Sequence, residues 1–145
     1  MQRHYQPISI PNFLLSLLFF FASCYFVESL NDWPIVGLFA QPYSSDDPGC
    51  DGDCQYIAAS YVKNLESAGA RVIPVDYYTS DEDLDLLFSQ VNGFFFPGGG
   101  AALPKAAQRV FDKTIEANDN GDKIPLWGTC MGFQWLLMVN FIFCI

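Results

Sequence analysis

The chain has 145 residues, enough for one domain, with 51% apolar residues and a formal net charge of −9. That acidity argues against nucleic-acid phosphates and anionic membranes as partners. The only histidine is His4, so neither a histidine-built metal site nor a nearby imidazole base is on offer in the body of the chain.

Residues 13–22 form a short apolar run preceded by Arg3 and His4, and Val27-Glu28-Ser29 places a small residue where a signal peptidase would cut. Residues 1–29 are therefore expected to be a secretory signal peptide. The alternative is an uncleaved anchor, because the apolar run to Val27 is broken only by Ser16, Ser23 and Cys24. Cleavage is the preferred reading; it leaves a domain over residues 30–138 with no stable membrane anchor.

Pro34 to Ala40 is a short apolar run and predicts a buried strand. Residues 41–53 are rich in Pro, Gly and Ser and predict an irregular loop. Within it, Cys50 and Cys54 bracket Asp51-Gly52-Asp53. An oxidising compartment favours a small loop disulfide between them over free thiols, with little gain in stability for so short a loop. Tyr56 to Ala68 puts Ala58, Tyr61, Val62, Leu65 and Ala68 on one helical face, and Gly69 follows as a helix-ending glycine. Arg71 to Val75 predicts a second strand.

Ser80 followed by Asp83 resembles a helix cap, and Leu84, Leu87, Phe88 and Val91 mark the helix behind it. The acidic runs at 45–47 and 81–83 are read as solvated loops and helix starts, not metal ligands. Gly93-Phe94-Phe95-Phe96 predicts a third strand running into Pro97-Gly98-Gly99-Gly100. Leu103, Ala107, Val110, Phe111, Thr114 and Ile115 form a third helical stripe. Asp119 to Asp122 is a turn, and Ile124 to Trp127 is a fourth strand. Strands alternating with helices imply a mostly parallel sheet with helices on both faces, and ligands then bind beyond the carboxyl ends of the strands.

Two special loops fall at those ends. The first is Gly128-Thr129-Cys130-Met131-Gly132, the spacing of a nucleophile elbow with Cys as the reacting residue. Small residues flank the turn, and a helix N-terminus behind it favours negative charge on a sulfur placed there. The bland alternative is a structural Cys in a glycine-bearing turn. The second is Gly98-Gly99-Gly100. With the elbow it suggests an oxyanion hole, in which the N–H of Met131 acts together with that of Gly99 or Gly100; alone it would be a flexible loop. It lacks the ending of a phosphate-binding loop, and no cofactor is expected. Gln134, one helical turn after Cys130, either binds a polar substrate group or packs locally, and the sequence leaves both open.

Three stretches resemble the gamma-glutamyl hydrolase family of the class I glutamine amidotransferase-like superfamily. They are Tyr56 to Lys63 with Glu66 to Val72; Val91-Asn92-Gly93 to Gly99; and Asn118 to Asp122 leading into Trp127 to Phe133. The resemblance implies a flavodoxin-like three-layer sandwich, incomplete on its C-terminal side. It implies a cysteine hydrolase, secreted or in a lysosome or vacuole, acting on folate poly-gamma-glutamates, with Cys130 matching the nucleophile and a homodimer for the full-length protein. Family members continue beyond the elbow into strands that bear the catalytic His and its acidic partner. Residues 139–145 are apolar apart from Asn140 and match nothing in that region, so a C-terminal truncation is expected and this chain is expected to be inactive. A glutamine amidotransferase-like enzyme and a non-catalytic secreted fragment are the competing readings.

Overall fold

A computed structural model describes residues 32–43 and 54–142. The proposed leader, Cys50 and Cys144 lie outside the described residues. The described elements are β1 (Ile35–Phe39), β2 (Gln41–Pro42), β3 (Gln55–Tyr56), α1 (Ala59–Ser67), β4 (Arg71–Val75), α2 (Asp81–Phe88), β5 (Gly93–Phe96), α3 (Lys105–Asp119), β6 (Leu126–Gly128) and α4 (Met131–Ile142).

Four strands pair in the order β4-β1-β5-β6, and every pairing is parallel. Parallel neighbours need crossovers, and the helices provide them. Side chains alternate across β5. Phe94 and Phe96 face a core shared with Phe39, Val75, Leu84, Val110 and Trp135. Phe95 faces the other way, with its ring centroid 5.4 Å from that of Tyr61 on α1. Helices thus cover both faces, as a flavodoxin-like three-layer sandwich requires. The two layers differ in quality. Helices α2 and α3 each bury apolar residues, whereas α1 has none that is fully buried. On the α1 side a groove of about 600 Å³ remains, lined among others by Tyr61, Leu65, Phe95, Trp127 and Thr129.

The local signals act as expected at most element ends. Ser80 caps α2: its hydroxyl oxygen accepts the Asp83 N–H at 3.1 Å. Gly69 follows α1 at φ 90° and Gly121 follows α3 at φ 100°, both left-handed. Asn118 holds Ile124 through two bonds: the side-chain oxygen accepts the Ile124 N–H at 2.8 Å, and the side-chain nitrogen donates to the Ile124 carbonyl at 3.2 Å. The entry to β6 is fixed that way.

Four expectations differ from the structure, the first being that Val91, placed on the helix after Ser80, lies beyond the end of α2 at Phe88. The helix expected from Tyr56 begins at Ala59, because Gln55–Tyr56 pairs antiparallel with Gln41–Pro42 instead. The segment expected to be irregular from Gln41 therefore opens with two strand residues. Two paired residues are too short to leave an alternation in the sequence. Ile115, placed on the buried stripe of α3, is 48% exposed; it sits at the edge of a groove with Phe111 and Asn140.

Candidate functional site

The carboxyl ends of β5 and β6 carry the two loops singled out from the sequence, and the fold brings them together. Strand β6 ends at Gly128, and Thr129 donates its backbone N–H to the Phe96 carbonyl at 3.0 Å. The chain then turns at Cys130 and enters α4. Cys130 has φ 54° and is the one non-glycine residue with positive φ among the described residues. A side chain in that region is strained by about 1–3 kcal/mol and persists only where its surroundings impose it.

The surroundings that impose it are the two flanking glycines. A Cβ at Gly132 would collide with the backbone of Phe96 and lie 2.7 Å from the Phe96 Cβ. A Cβ at Gly128 would lie 2.7 Å from the Gly132 carbonyl carbon and oxygen. Helix α4 therefore starts in direct backbone contact with β5, which only glycine permits. The sharp turn this forces leaves Cys130 exposed, with a free thiol, at the N-terminus of α4. The Cys130 carbonyl accepts the Gln134 N–H at 3.1 Å, and Gly132 donates to Thr129 at 3.0 Å. The Met131 N–H is at the first helical position, where no intrahelical partner exists for it.

The glycine loop meets the elbow at Gly98. A Cβ there would lie 3.2 Å from the Cys130 Cβ and 2.8 Å from the Tyr61 hydroxyl oxygen. The Gly98 N–H donates to that hydroxyl at 3.0 Å. Gly99 and Gly100 are exposed, one and two residues further along the loop. A Cβ on Gly99 would run into the side chain of Gln41, with Cδ at 2.7 Å and Cγ at 3.1 Å, whereas one on Gly100 would meet nothing. The loop is held at its far end by Trp135, which is fully buried and donates its ring N–H to the Ala101 carbonyl at 3.3 Å. The Ala102 carbonyl accepts the Tyr77 hydroxyl at 2.6 Å. Burial, with Tyr78 beside it, pushes the Tyr77 phenol above its usual range.

Of the residues singled out from the sequence, Cys130 and Met131 lie on the elbow, and Gly99 and Gly100 on the loop that meets the elbow at Gly98. Gln134 is exposed one turn along α4. Cys54 is disulfide-bonded, while Cys50 lies outside the described residues. Tyr61 and Gln41 were not singled out. Tyr61 read as one more apolar face residue on its helix, and Gln41 as the first residue of a loop. Neither sits near Cys130 in sequence, so no spacing rule could have joined them to the elbow.

Residues 34–141 match the peptidase C26 family. The chain belongs to that family. The C26 match runs from just before β1 almost to the end of α4, so it contains the elbow, the glycine loop and the sheet that aligns them. Relatives include gamma-glutamyl hydrolase B of Dictyostelium discoideum, 39% identical over 88% of this chain and 38% of the relative. The gamma-glutamyl hydrolase of Homo sapiens is 47% identical over 73% of this chain and 35% of its own length. That of Mus musculus is 51% identical over 56% of this chain and 27% of its own length. This C26 chain thus spans about a third of the length of the relatives it matches.

Proposed function

We propose that this chain is the nucleophile-bearing part of a gamma-glutamyl hydrolase that acts on folate poly-gamma-glutamates. The observation that carries the reading is the left-handed Cys130 at the N-terminus of α4, beside Gly98 in the loop that follows β5, within a peptidase C26 chain. In the proposed reaction the Cys130 sulfur attacks the gamma-carbonyl carbon of a glutamyl residue. The carbonyl oxygen takes on negative charge and is held by the N–H of Met131 and that of Gly99 or Gly100. The Gly98 N–H is already given to Tyr61, which supports the choice of the next two glycines. Collapse of the tetrahedral species breaks the C–N bond and releases the amine with a proton; water then hydrolyses the thioester. Gln134 is the candidate for a polar contact to the substrate.

Proton delivery to the leaving amine is the step this sequence serves least well, since its only histidine is His4. A thiolate and an oxyanion hole without an imidazole leave residual catalysis only. The purified 145-residue chain is therefore expected to be alkylated at Cys130 by a thiol-reactive glutamine analogue but to show little hydrolysis of a poly-gamma-glutamyl peptide. Robust cleavage that Cys130→Ala abolishes would overturn the proposed inactivity. A failure of the glutamine analogue to label Cys130 would favour the non-catalytic reading. The proposal includes a leader over residues 1–29 and delivery to a secreted, lysosomal or vacuolar compartment; the disulfide at Cys54 supports an oxidising one. Cys50 is its proposed partner.

A further inference from the structure

Gln41 is the most deeply buried polar side chain near the elbow, at 2% exposure. Both its side-chain nitrogen and its side-chain oxygen are buried without a hydrogen-bond partner. A buried, unpaired amide is destabilising by about 1–3 kcal/mol, whereas an apolar group of the same shape would not be. Its backbone is held from two sides. Gln41 pairs with Tyr56 in the short antiparallel ladder, and the preceding residue, Ala40, donates its N–H to the Val75 carbonyl at 2.9 Å. From that fixed base the side chain runs under the glycine loop and fills the space a Cβ would take at Gly99. Gly99 is exposed on its outer side and rests on the amide with its inner side.

We propose that Gln41 is a positioning residue for the oxyanion site. Its buried amide is the floor on which the Gly98–Gly100 turn sits, and it fixes the direction in which the Gly99 and Gly100 N–H groups point. It touches neither substrate nor the reacting sulfur; it acts through Gly99. An element-borne, buried support of this kind gives the precision that a bare glycine loop lacks. The inference rests on the oxyanion reading above.

The test compares two alkylations of Cys130 in the purified chain. With a gamma-glutamyl chloromethyl ketone, sulfur first adds to the ketone carbon and places negative charge on its oxygen; the sulfur then moves to the methylene carbon, the C–Cl bond breaks with release of chloride, and the ketone re-forms. With iodoacetamide, iodide is displaced directly and no carbonyl oxygen gains charge. Gln41→Ala removes the side chain beneath Gly99 and so takes away the floor of the turn. It is expected to slow the ketone reaction about tenfold, a fraction of what losing an oxyanion donor costs outright. The iodoacetamide rate is expected to stay unchanged. Gln41→Asn, which withdraws the amide from Gly99, is expected to give the same selective loss and decides the matter if Gln41→Ala does not fold, whereas Gln41→Met, which keeps the length of the side chain, is expected to leave both rates unchanged. Unchanged ketone rates in folded Gln41→Ala or Gln41→Asn, or equal losses of both rates with a lower melting temperature, would overturn the role of Gln41 and leave the oxyanion reading standing. A wild-type chain that iodoacetamide labels at Cys130 but the ketone does not would overturn the oxyanion reading itself, and this inference with it.

Discussion

Cys130 is held in a backbone conformation that its own side chain disfavours. The φ of 54° suits glycine, and the contact of Gly132 with Phe96 leaves the chain no gentler path from β6 into α4. Stability and chemistry therefore conflict at this residue. Cys130→Gly is expected to stabilise the fold by about 1 kcal/mol, the left-handed penalty less the entropy glycine loses on folding. Cys130→Ala keeps the penalty and should show no such gain. Denaturant titration of the two variants side by side measures the difference. The identity of this residue and of its two glycines was plain in the sequence. The strain was not, since it depends on where Phe96 lies.

Helices α2 and α3 are joined by a surface ion cluster. Arg109 reaches both Asp85 oxygens, Nε to Oδ1 at 2.9 Å and Nη2 to Oδ2 at 2.6 Å, and Lys113 approaches Oδ1 at 3.0 Å. Hydrogen bonds from Arg109 first, then Lys113, lower the Asp85 carboxyl from its ordinary 3.8 to about 2. A carboxyl lowered by folding adds stability above its ordinary value and loses that contribution as pH falls toward its folded value. Melting temperature should therefore fall between about pH 4 and about pH 2 more steeply in the wild type than in Asp85→Asn. The cluster is solvent-exposed, so the difference should shrink with added salt. The element pattern itself was legible: the stripes at Leu84, Ala107 and Val110 and the cap at Ser80 all derive from local spacing. The β2–β3 pair and the late start of α1 were not, because their cause is a partner strand and not a local propensity.

On the scale of the whole described structure, one flank stands uncovered. Strand β6 is the last strand of the sheet among the described residues, and it carries Trp127 at 66% exposure. Phe133, Leu137 and Met138 on α4 are exposed as well. Val139 on the same helix is buried, so the apolar character of α4 serves the core on one side and faces outward on the other. An unpaired edge beside a large apolar surface promotes association. The purified chain is expected to sediment as concentration-dependent oligomers, and Trp127→Lys is expected to shift it toward monomer. A wild-type chain that stays monomeric across the accessible concentration range would count against this. No helix among the described residues is long and apolar enough to cross a membrane.

The alternation of strands and helices, the elbow at Cys130, the glycine loop and the family resemblance are all legible along the chain. Each of these is written in local spacing or in residues that only one geometry accommodates, as Gly128 and Gly132 do. Only the fold brings Gly98 beside Cys130, gives the Gly98 N–H to Tyr61 and lays Gln41 beneath Gly99. Those are contacts of the glycine loop with a helix and a short strand far from it in the chain. They are set by the parallel register of β1, β5 and β6, which no local pattern encodes.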